Sequence, residues 1–384
     1  MGELILRVAL LVLLALPAAA AQVTAASSPA PAGTPGAGAW LELPGTSFRA
    51  LVPSGLAGSA VTSAWSGAAY DSRRQRLIVI GGGHADSWWN GAVAVYADGR
   101  PSHLVAEPST GAPPLPGNPI DPNPDGLPTS RHTYAGLAYV SHLDAVWMVG
   151  GSGYSGSGGG LRTSWLLRLG ETPARWERLP DAPRSTITAM IDYDAAGKAG
   201  YFVSRDGALH RYDFDTAAWE RVTGPERTVA APDPALMFRI DAERRLALFV
   251  GPRCGYASGP AGVYKGAPCD FIRVLSLTDL RAGAQKWTFT GATDFFQVQG
   301  PGLAKHPSGL WYGWAGQNEV WTLDLDAKVV VKLPPGPLAA PAGASVNKGV
   351  YGRWAFDASR GAFFGIAHVD WNAVRFTPDA APRP

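Results

Sequence analysis

The sequence is poor in cysteine and in charged residues, and few of its apolar runs are long. Two cysteines in 384 residues are too few for a scaffold held together by disulfides. Lys and Arg total 33 against 31 Asp and Glu, and no run of basic residues occurs, which argues against a nucleic-acid-binding surface. The apolar run at the N terminus is too short to span a membrane. After that run no helical periodicity is found, so the sequence predicts an all-β protein.

The first 39 residues have the composition of an export signal followed by a linker. Arg7 precedes the apolar run "VALLVLLAL", and small residues follow it, so residues 1–21 are predicted to be a signal peptide. A buried N-terminal helix is the alternative. Residues 22–39 are rich in Pro, Ala, Gly and Ser and predict a disordered linker. A periplasmic or secreted protein follows from this, with one domain over 40–378 and a tail over 379–384.

Export changes how the two cysteines are interpreted. Cys254 and Cys269 flank the Gly/Pro-rich stretch "CGYASGPAGVYKGAPC". In an oxidising compartment they are predicted to form a disulfide, which for a loop of this size contributes about 3 kcal/mol. Two free buried thiols are the alternative.

A pattern of four short strands recurs about every 40–60 residues from residue 40 onward. The first cycle reads "WSGAAYD", "RLIVIGGG", "GAVAVY" and "SHLVAE", and five variants of it follow. Such a period is typical of β-propeller blades. The sixth cycle lacks its Trp-containing strand, while "AWLELP" (39–44) stands alone at the start, so this strand is expected to complete the last blade and close the ring. We count six blades; seven is possible if residues 45–62 contain further strands.

Propeller topology gathers certain loops on one face of the ring. These are the loops between the second and third strands and the entries to each innermost strand. Trp65, Tyr134 and Tyr351 are predicted to occupy equivalent positions where innermost strands begin, and the Pro-rich insertion 107–130 leaves on the same face. Other residues assigned to this face include His84, Asp86, Trp88, Trp89, His132, Arg205, Arg253, Lys348 and Arg353.

Several of these residues also have a purely structural interpretation. A loop histidine such as His84 is often solvated, whereas His132 begins an innermost strand and is expected to face the channel. Arg131 has the opposite pleat orientation to His132 and is interpreted as an ion-pair partner within the fold. Arg353 could link neighbouring blades or bind a carboxylate, and Trp88 with Trp89 could pack between blades or stack on a sugar.

The stretches "SAWSGAAYDSRRQRLIVIGGGHADSWWNGAVAVY", "GLPTSRHTYAGLAYVSHLDAVWMVGGS" and "GVYGRWAFDASRGAFFGIAH" resemble exported bacterial kelch-type β-propeller proteins. Two enzyme classes use such propellers. Copper radical oxidases similar to galactose oxidase need a cysteine cross-linked to a tyrosine, and here both cysteines lie in one loop and no Tyr-His dipeptide occurs. Copper is therefore disfavoured.

The second class is the propeller polysaccharide lyases, of the ulvan and rhamnose–glucuronate type. The resemblance implies a site of two histidines, a tyrosine and an arginine, because β-elimination needs a cation for the uronate carboxylate together with a base and an acid. The residues that match as catalytic are His84, His132, Tyr134, Arg205 and Arg353. Those expected to bind substrate are Trp65, Asp86, Trp88, Trp89, Arg253, Lys348 and Tyr351.

The sequence supports no particular cofactor. His84, Asp86 and His132 could hold Zn²⁺ or Ca²⁺, but their spacing matches no local ligand motif. The glycine-rich loop "GGSGYSGSGGG" (150–160) lacks the lysine and helix of a phosphate-binding loop. We therefore expect a monomeric exported propeller that acts on extracellular carbohydrate, with a uronate lyase as the first hypothesis. A non-catalytic propeller that binds a glycan or a protein is the alternative.

Overall fold

The fold is a ring of six antiparallel sheets around a central channel. The computed structural model describes residues 38–112, 114–223, 236–251, 269–336 and 349–379. Strand β1 (Ala39–Leu43) precedes the first blade. Blade 1 contains β2 (Gly67–Asp71), β3 (Arg76–Ile80), β4 (Ala92–Tyr96) and β5 (His103–Ala106). Blade 2 contains β7 (Leu137–Val140), β8 (Ala145–Val149), β10 (Ser164–Arg168) and β11 (Arg175–Leu179). Blade 3 contains β12 (Ile191–Asp194), β13 (Ala199–Val203), β14 (Leu209–Asp213) and β15 (Ala218–Arg221).

The remaining blades repeat the same order. Blade 4 contains β16 (Met237–Asp241), β17 (Leu246–Val250), β18 (Phe271–Ser276) and β19 (Gln285–Thr288). Blade 5 contains β21 (Gly302–Lys305), β22 (Trp311–Trp314), β23 (Val320–Asp324) and β24 (Val329–Lys332). Blade 6 contains β25 (Trp354–Asp357), β26 (Ala362–Gly365), β27 (Ala373–Thr377) and β1. A short strand β20 (Thr290–Gly291) adds to blade 5 in parallel with β24. The predicted six-bladed propeller is confirmed.

Ring closure uses the strand that the sequence left unpaired. β1 pairs antiparallel with β27 over its whole length, from Ala39 opposite Thr377 to Leu43 opposite Ala373. Trp40 contributes to this joint, because its ring packs 5.0 Å from that of Phe376. The N-terminal strand therefore closes the ring, as predicted.

Burial differs between the middle and outermost strands of the blades. The middle strands β3 and β4 are buried at every position, because neighbouring blades cover both of their faces. The outermost strands, such as β11 and β15, are largely exposed. The turns after the innermost strands are stabilised by buried carboxylates; Asp71, for example, accepts hydrogen bonds from the backbone N–H groups of Arg73 and Arg74 at 3.1 and 3.2 Å.

The few elements outside the blades are short. A two-stranded ribbon joins β6 (Arg131–His132) to β9 (Ser152–Gly153) above blade 2. The helical segments of the described residues are 3₁₀ turns: η1 (Arg49–Leu51), η2 (Gly58–Ala60), η3 (Ser141–Leu143), η4 (Leu280–Ala282) and η5 (Thr293–Gln297). Within the described ranges, none of these helices is long and apolar enough to cross a membrane.

Some predictions fall on residues that the structure does not describe. The predicted signal peptide and nearly all of the predicted linker lie outside the described residues, as does most of the tail. Cys254 is also outside them, so its disulfide with Cys269, which is buried, stays a prediction.

Candidate functional site

Three aromatic residues form an arc at the mouth of the channel where blades 1, 2 and 6 begin. Trp65, Tyr134 and Tyr351 have left-handed backbones, with φ of 51°, 49° and 50°. The ring centroids of Trp65 and Tyr134 are 6.2 Å apart, and those of Tyr134 and Tyr351 are 5.9 Å apart. The three therefore occupy equivalent positions, in agreement with the sequence alignment of the blades.

These left-handed conformations are held in place by the backbone between blades. The N–H of Tyr134 donates to the carbonyl of Trp65 at 2.7 Å, and the N–H of Tyr351 donates to the carbonyl of Gly300 at 2.8 Å. Gly300 has φ of 49° and fills the corresponding position in blade 5. A left-handed residue with a side chain costs about 1 kcal/mol or more, and such residues concentrate at functional sites.

His132 lies at the centre of a hydrogen-bonded chain of three side chains. Its Nε2 is 2.9 Å from Oδ2 of Asp86, and its Nδ1 is 3.5 Å from the hydroxyl of Tyr134. An ionised carboxylate only accepts hydrogen bonds, so Asp86 assigns the proton to Nε2 and leaves the lone pair of Nδ1 facing the tyrosine. His132 and Tyr134 are buried, whereas the Asp86 side chain is 35% exposed.

A glycine explains how Asp86 comes to lie beside a residue 46 positions away in the chain. Gly83 has φ of +87°, and a Cβ built on it would lie 2.3 Å from Cα of Arg131. The β3–β4 loop can approach β6 this closely only because the side chain is absent. The carbonyl of Gly83 accepts a hydrogen bond from the N–H of Asp86 at 3.1 Å, and this bond fixes the turn that carries the Asp86 carboxylate.

His84 completes the cluster from the same loop. It is half-buried, has φ of 48°, and its ring centroid is 5.8 Å from that of His132. Gly158 lies against it, because a Cβ there would come within 1.7 Å of Cδ2 of His84. The glycine-rich loop 150–160 is therefore a wall of the site. The roles of Gly83 and Gly158 in shaping the site were not predicted from the sequence. The available signal was the clustering of glycines around His84.

Arg353 is close in sequence to Tyr351, but its guanidinium donates hydrogen bonds to backbone carbonyls. Its guanidinium donates to the carbonyls of Ser66 at 3.0 Å, Thr62 and Ile366 at 3.2 Å and Gly349 at 2.7 Å, and also to that of Ala367. It is 1% exposed. Every nitrogen of the side chain is used within blades 1 and 6, so we assign Arg353 to the junction between them and leave it out of the catalytic set.

Arg131 behaves as the ion-pair partner that its pleat orientation predicted. Its Nη2 lies 2.8 Å from Oδ2 of Asp121, and both side chains are buried. The Arg131 guanidinium holds the pKa of Asp121 below its usual range although burial opposes this effect. Because Asp121 belongs to the insertion 107–130, the pair fixes that insertion to blade 2 beside the cluster.

The remaining predicted site residues are separate from the cluster or outside the described chain. Trp89 is 1% exposed and belongs to the core between blades 6 and 1, and Trp88 is partly buried against the same core, so packing accounts for both. Arg205 is exposed in the β13–β14 turn and makes no hydrogen bond or ion pair with another described residue. Arg253 and Lys348 lie outside the described residues.

The histidine cluster contains residue types that bind metals, but they are not arranged as a metal site. Within the described parts of the chain, no group of three or more His, Cys, Asp or Glu side chains is arranged to hold a metal ion. The set of His84, Asp86 and His132 considered from the sequence is thus not arranged as a metal centre. The geometry instead suits proton transfer along Asp86, His132 and Tyr134.

Comparisons with known proteins show the fold. No protein-family model matches the chain, and no curated protein matches it. Among solved structures, it resembles an auxiliary nutrient binding protein from Bacteroides thetaiotaomicron with a TM-score of 0.51 and 11% identity, over 89% of this chain and 76% of that one. A protein of unknown function from the same organism gives 0.48 and 9%, over 90% and 73%.

A copper enzyme is also among the structural neighbours. A fungal alcohol oxidase in complex with copper gives a TM-score of 0.44 and 11% identity, over 82% of this chain and 62% of that one. At such identities the likeness concerns the fold, and function has to be argued from the site.

Proposed function

We propose that this propeller is exported and cleaves an extracellular uronate-containing polysaccharide by β-elimination at the histidine cluster. The observation that carries the proposal is the chain from Asp86 through His132 to Tyr134. A carboxylate that orients a histidine, which in turn faces a hydroxyl, is the general arrangement by which proteins activate a weak acid as a base or nucleophile.

Each step of the elimination has a candidate group in this cluster. Tyr134 takes the proton from C5 of the uronate while its own hydroxyl proton passes to Nδ1 of His132, and Asp86 stabilises the resulting imidazolium. The electron pair of the C5–H bond forms the C4–C5 double bond, and the C4–O4 bond breaks. His84 donates a proton to the departing O4. The separation of 3.5 Å between Tyr134 and His132 is typical of a site without substrate.

The uronate carboxylate also needs a cation, because neutralising it makes the C5 proton more acidic. Arg205 is exposed but separate from the cluster, so the cation is not identified among the described residues, and Arg253 and Lys348 stay predictions. Trp65 flanks Tyr134, is partly exposed, and is suited to stacking on a sugar ring. Tyr351, which was predicted to bind substrate, is fully buried and instead packs against the ring of Tyr134.

The test is incubation of purified protein with a panel of uronate-containing polysaccharides, following the ultraviolet absorbance of the unsaturated product. Tyr134→Phe and Asp86→Asn are expected to lower kcat by about 10²-fold or more, because each removes one member of the proton relay. Tyr312→Phe is the matched control, since Tyr312 is a buried core tyrosine of blade 5 whose loss should leave kcat unchanged. Wild-type activity in Tyr134→Phe would refute the assigned role.

A non-catalytic glycan-binding propeller is the second candidate. It is favoured by the partly exposed ring of Trp65 at the channel mouth and by the nutrient-binding description of one structural neighbour. If no unsaturated product forms while a polysaccharide binds the folded protein, and Trp65→Ala weakens that binding, the binding function replaces the lyase.

A further inference from the structure

The far end of the central channel contains a cavity that the histidine cluster does not use. Its volume is about 390 Å³, and innermost strands of all six blades line it. Its lining residues Ser72, Ser141 and Ala195 directly follow the innermost strands β2, β7 and β12. The cavity therefore lies at the end of the channel where these strands finish. The histidine cluster lies where these strands begin, about 15 Å away for strands of this length.

Two hydrogen-bond donors of the cavity wall have spare capacity. The side chain of Trp311 is only 3% exposed, and its buried indole Nε1 has no acceptor among the described residues. Arg239 uses Nε on the carbonyl of Leu303 at 3.0 Å and Nη1 on that of Phe238 at 3.5 Å. Its Nη2 makes no hydrogen bond with a described residue. A buried donor without an acceptor, such as Nε1 of Trp311, is costly and is a candidate for ligand contact, and Nη2 of the partly buried Arg239 can form a further bond.

An acceptor faces the same space from the neighbouring blade. Asp192 accepts from the N–H of Ile240 at 2.8 Å through Oδ2 and from its neighbour Tyr193 at 2.9 Å through Oδ1. Each carboxylate oxygen thus keeps a lone pair for a further donor. The charge of Asp192 is balanced by Arg239, which interacts with it electrostatically.

Three further polar side chains of the wall, Lys305, Tyr139 and Tyr193, already have partners. Nζ of Lys305 contacts Asp241 and Glu243, both at 2.7 Å. The hydroxyls of Tyr139 and Tyr193 bond to Asp144 at 2.9 Å and His142 at 2.6 Å. These tyrosines therefore contribute apolar ring surface, whereas Arg239, Trp311 and Asp192 can each form a further hydrogen bond.

We propose that this cavity binds a small organic acid of monosaccharide or amino-acid size. The carboxylate of the ligand accepts from Nη2 of Arg239 and Nε1 of Trp311, and a hydroxyl or ammonium group of the same ligand donates to Asp192. Arginine is the residue best matched to a carboxylate, and the cavity volume is within the range of small-molecule pockets. The site does not depend on the proposed lyase activity.

Isothermal titration calorimetry of the purified protein with glucuronate, glucose, glycine and acetate tests the site. We expect glucuronate or glycine to bind, and glucose, which lacks the carboxylate, to bind at least about tenfold more weakly. Stronger binding of glucuronate would identify the ligand as a sugar acid, whose hydroxyl donates to Asp192. Stronger binding of glycine would identify it as an amino acid, whose ammonium group donates there. Acetate should bind more weakly than the better of the two, because it offers nothing to Asp192.

A variant that removes one indole N–H makes the test specific. Trp311→Phe should weaken binding about tenfold. Its smaller ring costs packing energy, as in the control, but no hydrogen bond to a described residue is lost. Trp314→Phe is the control: its Nε1 donates to the carbonyl of Gln317 at 2.6 Å, so it should lower stability and leave binding unchanged. The proposal is overturned if neither glucuronate nor glycine binds, if glucose binds equally well, or if Trp311→Phe binds like the wild type.

Discussion

At the scale of single residues, buried histidines couple folding to pH. His210 is 5% exposed, its Nε2 lies 3.1 Å from Oγ of Ser204, and its Nδ1 is buried without a partner among the described residues. Protonation would place a charged N–H where nothing accepts it. Burial, and then the charge of Arg221, lower the pKa of His210 below its ordinary value of 6.5.

This predicts the sign of one pH effect. Below about pH 6.5 the unfolded chain binds a proton at His210 that the folded chain does not, so stability falls as the pH decreases. His210→Gln should reduce that fall by up to about 1.4 kcal/mol per pH unit between pH 6.5 and the folded-state pKa. Urea unfolding at several pH values measures both slopes, and equal slopes in variant and wild type would contradict the assignment.

What single residues do was only partly predictable from the sequence. The equivalence of Trp65, Tyr134 and Tyr351 followed from the repeated turns, because a repeat fixes backbone position. The same repeat could not show what a side chain meets at its tip. Arg353 was therefore open between two roles until its carbonyl partners were known, and Trp89 was open between packing and stacking until its burial was known.

At the scale of elements, the site depends on how closely the β3–β4 loop approaches the ribbon of β6 and β9. That approach requires Gly83, whose absent Cβ leaves room for the backbone of Arg131. The sequence predicted that both segments lie on one face. It could not predict their contact, because the pairing of Asp86 with His132 joins two loops rather than two strands in register.

Alanine substitution at two glycines isolates this contact. Gly83 and Gly111 both have positive φ, +87° and +76°, but nothing lies within 4 Å of a Cβ at Gly111. Gly111→Ala should therefore cost only the backbone strain, about 1 kcal/mol, and Gly83→Ala at least about 2 kcal/mol more. Urea unfolding compares the two variants. Equal losses of stability would show that the close approach at Gly83 is not required.

At the scale of the whole molecule, the ring is closed by a last blade built from both ends of the described chain. Blade 6 takes three strands from the end of the described chain and its fourth, β1, from the beginning. This was predictable because the missing Trp-containing strand of the sixth cycle and the isolated "AWLELP" are complementary parts of one repeat. Without β1, the edge of β27 would be open to pairing with another chain.

A chain that begins at residue 45, compared with one that begins at residue 38, tests this closure. Loss of β1 removes the packing of Trp40 on Phe376 and of the buried Leu43, so the free energy of unfolding should fall by about 3 kcal/mol or more. Light scattering should also detect association through the exposed edge of β27. A synthetic peptide of residues 38–44 should restore both properties, because it can pair with β27 as an added strand. If the shortened chain stays monomeric and equally stable, the ring is held together by contacts between its innermost strands, and β1 only covers an edge.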